Sequence, residues 1–241
     1  MEFTIRLAKK NIGIKSIYDD VYHLCTAYLT EDVPEIRVES TPADIEYEQE
    51  KNIKEAEIEG IAPVQYTDSY LETLAVYRKI VTRLLVYDIF LMHGAVVAVG
   101  ERAWLFTAPS GTGKTTHINL WLKNIPGSYI VNGDKPLLHV GEEITVFGTP
   151  WAGKEGIHRN TAVKLCGIVL LERGSENHIE KTGFSELLPI LVQQSYRPSD
   201  KAELEKTLEL IRKTGTLTPL YRLHCNMLPE AALTAYKALT S

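Results

Sequence analysis

The 241-residue chain is short of cysteine, of concentrated charge and of long apolar runs, and each shortage narrows what it does. Its three cysteines, Cys25, Cys166 and Cys225, are far apart and lack any C-x-x-C spacing, which argues against a disulfide framework or a zinc site and leaves reduced, structural thiols. The net charge is -5 and the basic residues are scattered, so the concentrated positive field that attracts nucleic acid or an anionic membrane is missing. The most apolar stretch, LLVYDIFLMHGAVVAVG, carries Asp88 and His93 and breaks at two glycines, so it fails as a membrane span. The opening MEFTIRLAKK alternates apolar and polar residues and has no apolar signal-peptide region. A cytoplasmic protein is expected, without repeats or low-complexity tracts. At 44% hydrophobic and 24% charged, it has enough apolar surface to bury a sizeable core.

Residues 1–69 are expected to form a small β-rich N-terminal region and residues 70–241 the main domain, the two making one continuous unit. FTIRLAKKNIGIKSI alternates as a half-exposed strand does, and VYHLCTAYL and EIRVES supply further strand candidates. Residues 40–68 are acidic and polar without a sustained apolar period, and read as edge structure and loop. From Tyr70, the spacing of Leu74, Tyr77, Val81, Leu84 and Leu85 predicts an amphipathic helix to about Asp88. HGAVVAV and AWLFTA read as two buried strands around a VGER turn. YIVNGD is a strand ending in an acid, LLHVGEEITVF a hairpin turning at Gly141-Glu142, and KLCGIVLLERG a long buried strand. Residues 184–212 read as helix broken at Pro198, and a strand and a helix close the chain.

Between AWLFTA and the next helical pattern lies TAPSGTGKTTH, residues 107–117. It matches the phosphate-loop pattern G-x-x-x-x-G-K-[ST] except that Ala108 stands at the first glycine. Each part has a physical task. In the loop from Pro109 to Thr116, the successive N–H groups from Ser110 on, together with the positive end of the following helix, form an anion nest. Gly111 and Gly113 allow backbone angles and close approach that a Cβ hinders. Lys114 reaches the β- and γ-phosphate oxygens, and Thr115 offers its hydroxyl to magnesium. Ser110, Thr112 and Thr116 complete the cradle. A strand before and an amphipathic helix after are the context the motif requires, so ATP with Mg2+ is the expected cofactor pair.

The wording Ser110-Gly111-Thr112-Gly113-Lys114-Thr115, with Met92-His93-Gly94 upstream, resembles HPr kinase/phosphorylase in the phosphoenolpyruvate carboxykinase superfamily, over about residues 88 to 175. Especially similar are short bacterial proteins of that branch that run S-G-T-G-K-[ST]-T-H, N-D-D-K-P and G-T-P-W. The resemblance implies an α/β P-loop HPr kinase-like fold with a mixed central sheet, and a Mg-ATP-dependent kinase acting on a hydroxyl of a small protein, peptide or metabolite. It also implies a homo-oligomer. By resemblance, two adjacent aspartates follow the YIV strand, one a base and one a metal-site residue. Here Asn132-Gly133-Asp134-Lys135 keeps only the second, so Asp134 takes the metal role and Gly133 leaves the base in question. A nucleotide-binding regulatory protein with weak transfer is the alternative, and N-G-D is also good turn chemistry.

The remaining candidates each carry two readings. His93 either serves the γ-phosphate or holds a carbonyl at a strand start, and His117 is assigned no role. The loop Gly148-Thr149-Pro150-Trp151-Ala152-Gly153-Lys154 either closes over the site or packs its indole onto the sheet, with Lys154, His158 and Arg159 as charge-stabilising candidates. Glu172 and Arg173 either serve a site at a strand end or pair with each other. Gln193, Gln194, Tyr196 and Arg197 form a polar cluster in which Arg197 is expected to cap a helix.

Overall fold

The alternating N-terminal segment turns back on itself at Ala8 and Lys9, whose φ angles of 49° and 63° suit a two-residue hairpin turn. Two antiparallel strands result, β1 (Glu2–Leu7) and β2 (Lys10–Lys15), where one strand is expected. β3 (Ile36–Glu39) adds in parallel to β2. VYHLCTAYL is not strand: it forms a short helix, α1 (Asp20–Leu24), and a 3-10 turn (Thr26–Tyr28). The reason is spacing, because buried Val21, Cys25 and Tyr28 recur at four and three residues, the stripe of a helix.

The computed structural model describes residues 1–241 apart from the side chain of Glu59, in two compact units, Met1–Arg83 and Leu84–Ser241. The expectation of loop over residues 40–68 is corrected, since Pro42–Glu59 is an 18-residue helix, α2. Its start is signalled by proline at the first helical position and by Asp44, whose carboxylate accepts from the Thr41 N–H at 2.9 Å. Its end is Gly60 in the left-handed conformation. The apolar period is hidden because one inward position of the stripe Ile45, Glu48, Ala56 is a glutamate. Glu48 is satisfied from α3 (Asp68–Leu84), where Arg78 Nε donates to it at 2.6 Å. Arg78 and Lys79 also reach Asp44, at 3.3 and 2.5 Å. Fully buried Glu72 of α3 accepts from the Ile17 and Tyr18 N–H groups and from the Ser40 hydroxyl, tying down the ends of β2 and β3.

The second unit is a curled mixed sheet with helices on both faces. Its strands are β4 (Ile89–Leu91), β5 (Ala95–Val99), β6 (Arg102–Thr107), β7 (Ser128–Asn132), β8 (Leu137–Val140), β9 (Ile144–Phe147), β10 (Ala162–Arg173), β11 (His178–Lys181) and β12 (Leu220–Cys225). They run in the order β4-β8-β9-β10-β6-β5-β7, and β12 pairs with both β10 and β11. The long β10 is shared: its first residues pair antiparallel with β9, its last six parallel with β12, and its other edge parallel with β6. The helices are α4 (Lys114–Asn124), α5 (Phe184–Gln193), α6 (Lys201–Leu217) and α7 (Pro229–Thr240). Ile118 and Trp121 of α4 and Ala232, Ala235 and Leu239 of α7 cover one face with Trp104 and Phe106, while Leu187, Leu191, Leu210 and Ile211 of α5 and α6 cover the other. Among the described residues, no helix is long and apolar enough to cross a membrane.

β6 and β7 each pair antiparallel with β5, and β10 pairs parallel with β6. The C-terminal ends of β6, β7 and β10 therefore open on one edge of the sheet. Thr107, Asn132 and Arg173 end these strands, and the chemistry-bearing residues follow them. This is the edge at which open α/β sheets carry ligand sites.

Candidate functional site

The loop from Ala108 to Gly113 leaves β6 and enters α4 at Lys114, with φ of 75° at Gly111 and 120° at Gly113. Neither glycine would meet an atom within 4 Å if it gained a Cβ, so backbone conformation alone demands glycine there. Ala108, at the departure from the motif, is fully buried among Phe106 and Ile118, and its methyl group is a piece of the core. Lys114 folds over the loop, its Nζ donating to Ala108 O at 2.7 Å and reaching Pro109 O at 3.4 Å. Burial draws the Lys114 pKa down, and the negative charge of Asp134 works in the opposite direction. The first-turn N–H groups of α4 have no partner within the helix and face the loop end.

Asp134 is placed by Asn132, which is fully buried at the end of β7. Asn132 Oδ1 accepts from the N–H groups of Asp134 at 2.8 Å and Lys135 at 2.7 Å. Its Nδ2 donates to Thr149 O at 2.9 Å and Thr149 Oγ1 at 3.1 Å. The Thr149 hydroxyl donates in turn to Lys135 O at 2.9 Å. Asp134 O accepts from Gly94 N at 2.9 Å, and the Asp134 carboxylate lies 3.6 Å from Lys135 Nζ. Gly153, at φ 74°, lies so close that a Cβ would stand 3.0 Å from Asp134 Cβ.

His93 does not lie on a strand, as the sequence reading has it, but between β4 and β5. Its N–H donates to Gln194 O at 2.5 Å and its carbonyl accepts from the Thr107 hydroxyl at 2.9 Å. The neighbouring Gly94 is needed for close packing, since a Cβ there would lie 2.7 Å from Leu105 Cδ2 and 3.0 Å from Phe106 O. The main chain of His93-Gly94 thus links the ends of β6 and β7, the two strands that present the loop and Asp134.

Gly148 to Ala152 is buried rather than a mobile cover, and the indole of Trp151 is packed down. The exposed lip begins at Gly153 and carries Lys154; His158 Nδ1 lies 3.1 Å from Gly156 O. Arg159 is not brought to the loop: its guanidinium stacks 4.5 Å over Tyr129, near the beginning of β7. His117 lies on the first turn of α4 and is buried against Phe106, its Nε2 accepting from Trp121 Nε1 at 3.0 Å. That burial pushes its pKa down to about 4.

Glu172 and Arg173 do not pair with each other. Glu172 binds Arg222 Nη1 at 2.6 Å and His224 Nδ1 at 3.3 Å. Arg173 turns to the loop, where Nη2 donates to Gly111 O at 2.5 Å and Nε reaches Thr112 O at 3.5 Å. Beside these contacts opens a cleft of about 620 Å3, bounded by loop residues 109–112, the end of β10 at 170–173, and Ile190 of α5. The expected cap by Arg197 is corrected. Arg197 is exposed, and α5 closes through Gln194 N to Ile190 O and Ser195 Oγ to Leu191 O, both at 2.8 Å.

Sequence reading misses one position at this edge and half-finds another. Asn132 reads as turn chemistry, and its role as a buried hydrogen-bond hub is missed. Arg173 is singled out by its place at a strand end, but its reach to the loop, 62 residues away in sequence, leaves no local trace. No family model matches the chain, and no curated protein matches it.

Proposed function

We propose that this chain is a Mg-ATP-dependent kinase with an HPr kinase-like P-loop fold, transferring the γ-phosphate to a hydroxyl. The observation that supports it most is the junction of β6 and α4, where two positive-φ glycines, a lysine folded over the loop and the nearby Asp134 converge. The loop amides and Lys114 hold the phosphates, with Lys114 exchanging the Ala108 carbonyl for phosphate oxygens. Thr115 and Asp134 would hold magnesium, which neutralises developing phosphate charge when bound. One carboxylate and one hydroxyl fit that ion, which keeps several waters and takes further ligands from the phosphates.

The acceptor oxygen, of a serine or threonine in a small protein or peptide or of a metabolite, attacks the γ-phosphorus as its bond to the ADP oxygen breaks, and the hydroxyl proton passes to solvent. A loose transition state depends mainly on positioning and charge stabilisation, so a dedicated base is not required. Of the cationic candidates, Lys154 stands on the exposed lip beside Asp134, whereas Arg159 is engaged with Tyr129. His93 acts through its main chain, holding β6 and β7 together.

A second reading, a nucleotide-binding regulatory protein with little transfer, is favoured by Gly133. Its N–H donates to Ile157 O at 3.0 Å, and a Cβ there would lie 3.0 Å from Ala152 O. A side chain at position 133 would press on neighbouring backbone, which would have to give slightly to admit a second acid. Incubation with Mg-[γ-32P]ATP separates the readings. Label moved to a hydroxyl of a peptide, lysate protein or metabolite supports the kinase; saturable binding without transfer to any of them supports the regulator; no binding refutes both.

A further inference from the structure

We infer that the cleft beside the loop receives the nucleoside end of the bound nucleotide, an inference that rests on the reading of the loop as a phosphate cradle. The loop has two flanks. Asp134 follows β7, on the far side of β5, and the lip that follows β9 and carries Lys154 packs against it at Gly153; β10 adjoins β6 on the opposite side. The main chain of His93-Gly94 ties Thr107, where the loop begins, to Asp134, so the metal-binding, γ-phosphate end belongs to the β7 flank. A polyphosphate laid across the loop then directs whatever it carries to the β10 flank, where the cleft is.

The walls suit a nucleoside. Leu170, Leu171 and Ile190 are apolar and offer contact to a base, whereas a bare phosphate would gain nothing from them. Arg173 is a planar cation at the junction of cleft and loop, able to stack on a base while its Nη2 stays on Gly111 O. Glu172, held by Arg222 and His224, presents a carboxylate edge that can accept from ribose hydroxyls. At about 620 Å3 the space is within the range of small-molecule sites, and its continuity with loop residues 109–112 ties its occupant to the phosphates.

The test compares Mg-ATP with Mg-tripolyphosphate, which has the phosphates and no nucleoside. Wild type should bind ATP at least about tenfold more tightly than tripolyphosphate, a gap of about 1.4 kcal/mol. Ile190 is only partly buried, and Ile190→Trp fills the cleft from its rim; it should erase most of that gap while tripolyphosphate binding stays at the wild-type level. A methyl-labelled wild-type protein tests the same point without a variant: ATP should shift the Leu170, Leu171 and Ile190 methyl signals, and tripolyphosphate only the loop amides. Equal wild-type affinity for the two ligands, or ATP shifts confined to the loop, overturns the inference while leaving the cradle intact. Failure of both ligands to bind wild type overturns the cradle reading itself.

Discussion

Replacing Asn132 by alanine should be one of the most costly single polar substitutions in the molecule, because one side chain orders the whole β7 end of the site. Four hydrogen bonds disappear: two accepted from Asp134 N and Lys135 N, and two donated to Thr149 O and Oγ1. The consequences differ by exposure. Thr149 is fully buried, so its carbonyl is left without water, at about 1–3 kcal/mol. Asp134 and Lys135 are partly exposed, and water can recover part of what their N–H groups lose, leaving about 0.5–1 kcal/mol each. The Thr149 hydroxyl keeps its bond to Lys135 O and adds little. The sum is about 3 kcal/mol, measurable as a lowered urea midpoint at unchanged m-value. Because Asp134 loses the turn that orients it, the magnesium dependence of ATP binding should weaken as well, by about tenfold. A variant that melts within about 0.5 kcal/mol of wild type, the ordinary range of surface substitutions, would refute the idea that Asn132 orders this end of the site.

Three further outcomes follow from the same kind of argument. His117 is neutral in the fold with its pKa pushed down to about 4, while the unfolded chain takes up a proton near pH 6.5. Stability due to this group is therefore intact above about pH 6.5 and lost as pH falls toward 4, at up to about 1.4 kcal/mol per pH unit. Urea titrations at several pH values should show a shallower acid loss in His117→Phe than in wild type. Gly94→Ala, with its Cβ 2.7 Å from Leu105 Cδ2, should destabilise by about 2 kcal/mol, and Gly100→Ala, which meets nothing within 4 Å but sits at φ 59°, should cost less, about 1 kcal/mol from backbone strain alone. Lys9→Gly relieves a left-handed lysine at φ 63° and should raise stability by about 0.5 kcal/mol, the small excess of that strain over the added chain entropy of glycine; a fall in the midpoint would contradict the turn.

Where one physical rule governs a stretch, the sequence is legible. The period of Leu74, Tyr77, Val81 and Leu84 marks α3, and the apolar runs on either side of VGER are β5 and β6. The loop between β6 and α4 is readable because its glycines, lysine and following helix fall together in one short pattern. Where a tertiary partner replaces an expected residue type, local reading fails. Glu48 interrupts the stripe of α2 and makes sense only beside Arg78. Val21, Cys25 and Tyr28 form too short a stripe to stand out from strand-like composition. Arg159 is a reasonable cation for a phosphate until Tyr129, distant in sequence, is placed under it. Arg173 is the reverse case, a strand-end residue whose place at the loop emerges only when β10 pairs with β6.

The central claim is that the loop after β6 binds the phosphates of Mg-ATP through Lys114. Titration calorimetry of the whole chain with ATP and magnesium, beside Lys114→Ala, tests it most directly. Wild type should show saturable, magnesium-dependent binding at one site. The variant should bind roughly 10- to 100-fold more weakly, the weight of a charge-assisted hydrogen bond to phosphate. No binding to wild type, or undiminished binding to Lys114→Ala, would contradict the account.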